Sequence, residues 1–249
     1  MIDLHSHILP GVDDGPATIE ESLELARRAA EDGIRVIAAT PHVRDDYPTT
    51  PATMERLVDE LRTAIEAEEI PIDVRPGGEI AIDWLDRLSE EDLIRFGLGG
   101  SRHYLLVEFP YAGWPLSLHE WVFRLVTRQI TPVIAHPERN ADVQANPDEL
   151  RPLVDAGALV QITAASLDGR IGRSSKAAAT GLIERGLAHV LASDAHMPDI
   201  REAGLRAAAD AVGDPELARW MTQEMPMAIV TDAPLPRRPQ PRKRGFLRR

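Results

Sequence analysis

The sequence opens with Met1-Ile-Asp-Leu-His-Ser-His-Ile-Leu-Pro-Gly-Val-Asp-Asp14, a short apolar strand that runs directly into polar side chains. Alternation along an extended backbone points the imidazoles of His5 and His7 to the same side, where together they can chelate an ion. Imidazole binds borderline divalent metals and carboxylate suits harder ones, so Asp13 and Asp14 extend the pair into a mixed nitrogen and oxygen site. Histidine pairs also occur on ordinary surfaces, so the prediction of a metal centre depends on residues downstream.

Composition limits the kinds of protein that this chain can be. Its 249 residues suffice for two small domains or for one α/β barrel. The chain has no cysteine, which excludes disulfides, thiolate metal sites and phosphatases with a cysteine nucleophile. No basic segment precedes an apolar core of the signal-peptide type, and no apolar run approaches the roughly 18 residues of a membrane helix. We therefore expect a soluble cytoplasmic protein.

Charge is distributed unevenly along the chain. The formal net charge is −12, yet residues 237–249 contain seven cations, so residues 1–236 carry a net charge of −19. A body this acidic is a poor platform for nucleic acid, and we expect no nucleic-acid partner. The end of the chain is too rich in proline and arginine to form a core. We therefore predict one domain over residues 1–236 and a disordered basic tail over 237–249, which is a candidate for transient contact with an anionic membrane surface.

Short apolar strands alternate with amphipathic helices throughout the body. The first helix has a capping-box signature at Thr18 and Glu21 and a stop at Gly33. Seven predicted strands begin at residues 2, 35, 72, 104, 132, 159 and 189. This alternation indicates right-handed βαβ units and a parallel sheet. Polar residues follow six of the strands, which favours a closed or nearly closed barrel over an open doubly wound sheet, whose ligands gather at one crevice.

Nine residues able to bind a metal fall near the carboxyl ends of predicted strands, where a parallel barrel places its catalytic loops. They are His5, His7, Asp14, His42, Glu79, Glu108, His136, Asp194 and His196. Any one of them alone would most often be an ordinary loop side chain. Five imidazoles and four carboxylates together exceed the three protein ligands of one catalytic zinc, so we predict two or three metals that share a carboxylate. The other histidines, at 103, 119 and 189, are predicted to have no such role.

The predicted reaction is hydrolysis, and a phosphate ester is the favoured substrate. Metal clusters lower the pKa of bound water and clamp the attacking and leaving oxygens of an in-line displacement. Arg139 lies three residues after His136, and Arg201 lies five residues after His196. At these positions their guanidinium groups could hold phosphate oxygens bidentately, although an ordinary surface cation at a helix start would look the same.

These residues resemble the polymerase-and-histidinol-phosphatase (PHP) superfamily, and within it the bacterial manganese-dependent protein-tyrosine phosphatases of capsular and exopolysaccharide operons. The resemblance runs from residue 1 to about residue 230. The Asp-Asp-Gly-Pro that follows the histidine pair separates this branch from the histidinol phosphatases. The motifs that carry it are His5-Ser-His7, Asp13-Asp-Gly-Pro16, Thr40-Pro-His42, Gly78-Glu-Ile80, Val107-Glu-Phe109, Ile134-Ala-His-Pro-Glu-Arg139, Gln161-Ile-Thr-Ala-Ala-Ser166 and Ala192-Ser-Asp-Ala-His196.

The resemblance implies a distorted (β/α)7 TIM-like barrel with three metal ions at its carboxyl mouth, Mn²⁺ being expected and iron or zinc the alternatives. It implies three ligand sets: His5, His7, Glu79 and Asp194 for the first metal; Glu79, Glu108 and His136 for the second; Asp14, His42 and His196 for the third. It further implies that Arg139 and Arg201 bind the phosphoryl group and that a metal-bridging hydroxide attacks it, with Asp194 and His42 among the catalytic residues. The implied substrate is the phosphotyrosine-rich tail of a bacterial tyrosine autokinase that controls polysaccharide synthesis.

Two other functions stay open from the sequence. A PHP phosphoesterase acting on a small metabolite such as histidinol phosphate, or on a nucleotide, would share the metals, although a nucleic-acid substrate calls for a basic track. A catalytically silent, metal-stabilised partner of a kinase or polymerase would not need this many ligands at one mouth.

Val43 and Met197 stand where the family often has His and Asn, which bears on substrate preference. Tyr111 or Trp114 could lie against a phosphotyrosyl ring, or the two could simply pack their loop onto the barrel.

Overall fold

The structure is a computed structural model that describes residues 1–196 and 204–240. Strands and helices alternate along the chain, as predicted. The strands are β1 (Ile2–Ser6), β2 (Val36–Ala39), β3 (His42–Val43), β4 (Asp73–Arg75), β5 (Glu79–Ala81), β6 (Tyr104–Glu108), β7 (Thr131–Ile134), β8 (Leu159–Thr163) and β9 (Val190–Ala192). The helices are α1 (Ile19–Asp32), α2 (Pro51–Ala67), α3 (Glu90–Arg95), α4 (Leu118–Thr127), α5 (Ala141–Ala145), α6 (Arg151–Asp155), α7 (Ala164–Asp168), α8 (Arg173–Glu184), α9 (Arg206–Ala211), α10 (Pro215–Arg219) and α11 (Met225–Val230).

The strands pair in parallel in two sheets. One sheet has the order β1-β2-β4, and the other has the order β3-β5-β6-β7-β8-β9. The second and third predicted strands, over 35–39 and 72–75, correspond to β2 and β4. Each is followed by a short strand that was not predicted, β3 or β5, after an interruption at Thr40-Pro41 or at Pro76-Gly77-Gly78, because proline cannot donate a backbone hydrogen bond and glycine weakens a strand. Each of these divided strands therefore has its first part in one sheet and its second part in the other.

A short contact brings the first strand beside the last. Ser6 and Ala195 form an isolated parallel bridge. The backbone N–H of His7 donates to the carbonyl of Ala195 at 2.8 Å, and the N–H of Asp194 donates to the carbonyl of His5 at 2.8 Å. The single-domain α/β class and the parallel pairing are thus confirmed, and the sheets curve into a half-barrel.

The helices cover strands that are buried on both faces. Every residue of β1, β6 and β8 is buried, which is typical of parallel sheets with helices outside them. The predicted capping box of α1 is present, because the Thr18 side chain accepts from the Glu21 N–H and the Glu21 side chain accepts from the Thr18 N–H. Between β5 and β6, residues Ile82–Trp84 form a 3₁₀ turn, and α3 begins after Ser89, whose hydroxyl accepts from the Asp92 N–H at 3.1 Å.

The last described residues lie against the body of the protein. Trp220 Nε1 donates to the carbonyl of Pro236 at 3.1 Å. The guanidinium of Arg238 donates to the carbonyls of Ala188 at 2.7 Å and Ile183 at 2.8 Å. Arg238, which we assigned to the tail, thus contacts the domain, whereas residues 241–249 lie outside the described part of the chain. Across residues 1–196 and 204–240, no helix combines the length and the apolar character needed to cross a membrane.

Candidate metal centre

All nine predicted ligand residues come together at one edge of the two sheets. Their ligand atoms form four groups, and within each group the atoms lie within 4.8 Å of one another. The groups are His7, Asp14, His42 and His196; His5, Glu79 and His136; His5, His7 and Asp194; and His42, Glu79 and Glu108. Since four residues belong to two groups each, the groups join into a single cluster.

Glu79 occupies the centre of this cluster, at the start of β5. Its two oxygens face four imidazoles. Oε1 lies 2.8 Å from His136 Nε2 and 3.4 Å from His5 Nε2, and Oε2 lies 2.8 Å from His42 Nδ1 and 3.3 Å from His7 Nε2. A carboxylate with a separate set of nitrogens at each oxygen has the arrangement of a ligand shared between ions.

Two aspartates also face the histidines of the cluster. Asp194 Oδ1 lies 3.4 Å from the Nε2 atoms of both His5 and His7. Asp14 Oδ1 lies 3.2 Å from His196 Nε2 and 3.5 Å from His42 Nε2. The two ring nitrogens of His42 therefore face different carboxylates, Asp14 on one side and Glu79 on the other. The predicted first and third ligand sets are both brought together.

Two buried side chains behind the cluster orient its imidazoles. Asp13 Oδ2 lies 2.7 Å from His7 Nδ1, and Gln161 Oε1 lies 3.0 Å from His5 Nδ1. Since both oxygens accept, each imidazole carries its proton on Nδ1 and presents the lone pair of Nε2 to the cluster. Gln161 Oε1 also accepts the backbone N–H of His136 at 3.2 Å, which fixes the chain at a third candidate ligand.

Backbone conformation also marks this edge of the sheets. His136 has φ +32° and Asp194 has φ +53°, both in the left-handed region that L-residues seldom adopt. Such conformations persist where the surrounding structure enforces them, and they cluster at functional sites. Gly15 shows a second constraint, because a Cβ atom there would lie 2.1 Å from the carbonyl oxygen of His7. The glycine after the acidic pair thus lets the chain pass against the histidine strand.

The electrostatics of the cluster call for positive charge. Burial and the nearby Glu79 carboxylate raise the pKa of Glu108 to about 8. Burial together with the Arg139 guanidinium lowers the pKa of His136 to about 4. Burial alone would raise the pKa of Glu79, but the surrounding imidazoles, His5 foremost, hold it well below the usual value.

Two buried atoms of the cluster lie close enough together to bind the same cation. His42 Nδ1 and Glu79 Oε2 lie 2.8 Å apart, yet neither makes a hydrogen bond. Buried polar atoms in proteins almost always have a hydrogen-bond partner, so a bound cation would satisfy both of these atoms. Imidazole with carboxylate is a donor set for divalent transition metals, and the residues present fit such ions.

A cavity of about 550 Å³ opens above the cluster, and Asp14, His42, Arg44, Tyr111 and Arg139 are among its lining residues. The Arg139 guanidinium donates to the Asp194 carboxylate, to Thr163 Oγ1 at 3.2 Å and to Tyr111 Oη at 3.4 Å. Arg139 thus lies beside the candidate ligand Asp194 at the wall of the cavity, whereas Arg201, the other predicted phosphoryl-binding residue, lies outside the described residues.

Comparison with known proteins identifies the family to which this chain belongs. The family model described as "Capsular polysaccharide synthesis, CpsB/CapC" matches residues 1–231.

The chain belongs to the CpsB/CapC family.

Tyrosine-protein phosphatase YwqE of Bacillus subtilis (strain 168) is 41% identical to this CpsB/CapC chain over 199 residues, which cover 79% of this chain and 77% of YwqE. Tyrosine-protein phosphatase CpsB of Streptococcus pneumoniae is 32% identical over 245 residues, which cover 93% of this chain and 99% of that protein. A crystal structure from a study of YwqE and CpsB as metal-dependent tyrosine phosphatases is 37% identical, has a TM-score of 0.87 and covers 98% of this chain and 100% of that chain. A β-aspartyl dipeptidase from Fervidobacterium islandicum, 16% identical with a TM-score of 0.57 over 92% of this chain and 72% of that one, resembles it in fold alone.

Sequence reasoning missed two residues of this CpsB/CapC centre. Gln161 was quoted only within a motif, although its place inside β8 puts it two residues before Thr163 on the same face. Arg44, two residues after His42, reaches Glu108 Oε2 with Nη1 at 3.3 Å and was not considered. The position of this arginine, directly after a strand that carries a candidate ligand, is visible in the sequence.

Proposed function

We propose that this CpsB/CapC-family chain is a metal-dependent protein-tyrosine phosphatase that acts on a bacterial tyrosine autokinase of capsule or exopolysaccharide synthesis. One observation carries the proposal: nine candidate ligand residues gather in a cluster centred on Glu79, next to a guanidinium and beneath an open cavity. The similarity to YwqE and CpsB supports it, since both relatives are named tyrosine-protein phosphatases. The physiological substrate in this proposal is the phosphotyrosine-containing tail of the kinase.

Three metal ions are proposed, and Mn²⁺ is the proposed species, with iron or zinc as alternatives. The proposed sets are His5, His7, Glu79 and Asp194; Glu79, Glu108 and His136; and Asp14, His42 and His196. When bound, such ions supply positive charge for the phosphoryl oxygens and lower the pKa of water, so that a nucleophile is present near neutral pH.

The protein's own residues bind and orient the substrate. Arg139 and Arg201 are proposed to hold the phosphoryl oxygens, and the hydroxyls of Thr163 and Tyr111 already fix the Arg139 guanidinium before binding. Tyr111 lines the cavity and is half exposed, so its ring is placed to contact the phosphotyrosyl ring. Trp114 instead packs edge-on against Phe109 at 5.7 Å, which suits a structural role. Phenol has a pKa of about 10, so the leaving phenolate can depart without a dedicated acid.

The activity is tested on p-nitrophenyl phosphate, a phosphotyrosyl peptide, phosphoserine, histidinol phosphate and a nucleotide, each with Mn²⁺, Zn²⁺, Mg²⁺ or EDTA. We expect preference for phosphotyrosine, loss of activity with EDTA, and no effect of thiol alkylation because the chain has no cysteine. Preference for histidinol phosphate or the nucleotide would establish a metabolite phosphoesterase instead. Absence of turnover on every substrate, with metal bound, would establish a silent partner protein.

We also propose that the two sheets are parts of one distorted (β/α)7 barrel, a closure supported by the bridge between Ser6 and Ala195. The proposed domain covers residues 1–236, and the proposed location is the cytoplasm.

The basic residues of the 237–249 tail are proposed to contact anionic membrane surfaces transiently. Because Arg238 contacts the domain, the test removes only residues 241–249 and compares dephosphorylation of a kinase tail on anionic vesicles. Equal rates with equal salt dependence would contradict the membrane contact.

A further inference from the structure

We propose that a groove beside the metal centre binds the peptide chain of the substrate and selects phosphotyrosines that are flanked by lysine or arginine. This inference rests on the proposed phosphatase activity and adds a substrate class to it. The groove has a volume of about 500 Å³, within the usual range for ligand pockets. Arg44 and Tyr111 line both the groove and the cavity above the cluster, and the candidate ligand Glu108 also lines the groove. The groove is therefore continuous with the site of the chemistry.

Three segments at the carboxyl ends of parallel strands form the walls of the groove. Residues 44–46 follow β3, residues 81–83 end β5 and begin the next turn, and residues 109–117 follow β6. Parallel strands present their carboxyl ends at one edge, so these segments open on the same side as the mouth. Ile82 and Phe109 give the groove an apolar floor. A peptide that leaves the cavity past Tyr111 meets this surface first.

The rim of the groove carries three aspartates, and one of them has no partner of its own. Asp45 receives a hydrogen bond from Arg87 at 2.5 Å, and Asp46 lies 2.8 Å from Arg44 Nε. Asp83 is exposed and forms no hydrogen bond or ion pair with any other residue that the structure describes. Its carboxylate is free to bind a cationic side chain of the substrate.

The charges around the groove also disfavour substrates with acidic residues next to the phosphotyrosine. The guanidinium of Arg44 is the cation nearest to the groove, but its Nη1 lies 3.3 Å from Glu108 and its Nε lies 2.8 Å from Asp46. The charge of Arg44 is thus already balanced by two carboxylates, so it offers little net attraction to an acidic side chain of the substrate. The net charge of −19 over residues 1–236 adds a long-range field that attracts cationic peptides and repels anionic ones.

The test compares two phosphotyrosyl peptides of equal length, one with lysines and one with glutamates at the positions next to the phosphotyrosine. At low salt with Mn²⁺, we expect kcat/KM to favour the lysine peptide by about two- to fivefold, the range for exposed charge pairs. The substitution Asp83→Lys should reverse the preference, and 0.5 M salt should remove it. Glu66→Lys makes the same charge change at the end of α2, just before β4 begins and so at the opposite edge of the sheets, and should keep the wild-type preference.

A second variant tests the groove by its shape. Ser117 lines the groove and starts α4 without a side-chain cap hydrogen bond, so Ser117→Tyr fills the space without removing a cap. We expect it to lower the ratio of kcat/KM on the lysine peptide to kcat/KM on p-nitrophenyl phosphate. The second substrate has no flank, so its hydrolysis tests the proposed phosphatase activity separately. If turnover is absent, binding of the two labelled peptides, followed by fluorescence anisotropy, gives the same comparison.

Two results would overturn the inference. One is equal kcat/KM, or equal binding, for the lysine and glutamate peptides at low salt. The other is an equal shift of preference in Asp83→Lys and Glu66→Lys, because the preference would then come from the field of the whole protein and not from the groove.

Discussion

Asp13 lies directly behind the candidate metal ligands and contacts two of them. Its Oδ2 lies 2.7 Å from His7 Nδ1 and accepts the backbone N–H of His42 at 3.1 Å, and its Oδ1 accepts the N–H of Gly15 at 3.0 Å. The side chain is fully buried. The substitution Asp13→Asn keeps the size of the side chain but removes the charge that holds the His7 imidazole in place.

We expect this substitution to weaken metal binding more than it weakens the chemical step. Carboxylates that orient a metal-binding histidine typically contribute about 10- to 100-fold to metal affinity or activity. The charged hydrogen bond to His7 gives a similar figure, since such bonds are worth about 1.5–3 kcal/mol and tenfold corresponds to about 1.4 kcal/mol. The free Mn²⁺ concentration for half-maximal activity should therefore rise about 10- to 100-fold. Most of kcat should return at saturating metal, because the asparagine oxygen can still accept from His7.

The assay measures hydrolysis of p-nitrophenyl phosphate across a series of buffered free Mn²⁺ concentrations. Asp14→Asn is the matched control, since it makes the same chemical change at the next residue, whose carboxylate faces His196 and His42. Because Asp14 is itself a proposed ligand, saturating metal should not restore the activity of that variant. A wild-type metal dependence in Asp13→Asn, or the same behaviour in both variants, would refute the different roles that we assign to the two aspartates.

Three further predictions concern metal removal, substrate contact and pH. Chelation should lower the melting temperature by at least about 5–10 °C in calorimetry, because each ion at about 100 times its Kd contributes about 2.7 kcal/mol and three ions are proposed. An unchanged melting temperature would contradict a contribution of bound ions to stability. Tyr111→Ala should reduce the ratio of activity on a phosphotyrosyl peptide to that on an alkyl phosphate by about two- to tenfold, while Trp114→Ala should leave the ratio unchanged. Burial and the Arg238 guanidinium lower the pKa of His189 to about 4. As the pH falls below about 6.5, His189 therefore becomes protonated in the unfolded chain while it stays neutral in the folded chain. Stability should fall by about 2 kcal/mol from pH 7.5 to pH 5 for this reason, and urea unfolding in EDTA should show that His189→Asn lacks this part of the loss.

The ligand residues could be predicted from the sequence because they lie at or near the ends of apolar strands. His5, Glu108 and His136 stand at strand ends whose apolar character is plain in the sequence, and the parallel topology then brings those ends together. Their convergence is thus a property of the fold class. The assignment of individual ligands to ions came from the family resemblance, since spacing along the chain does not say which strand lies beside which.

The orienting residues were harder to predict because their roles depend on the third dimension. Asp13 and Asp14 are chemically identical neighbours, and only the turn through Gly15 directs one carboxylate behind His7 and the other towards His196. Gln161 lies inside β8, where a buried amide has no distinguishing pattern in the sequence. Its function emerges only when His5 and His136 are placed on either side of it.

The divided strands explain why the metal centre also bears on the stability of the fold. His5 belongs to the three-stranded sheet, whereas His42 and Glu79 pair in register within the six-stranded sheet. Backbone pairing between the two sheets is limited where Thr40-Pro41 interrupts the strand, and the edge at Ser6 has a single bridge to Ala195. Ions held jointly by these ligands would cross-link the two sheets at this edge. The same cluster that is proposed to hydrolyse phosphate would therefore hold the mouth together, which is why chelation is expected to lower stability as well as activity.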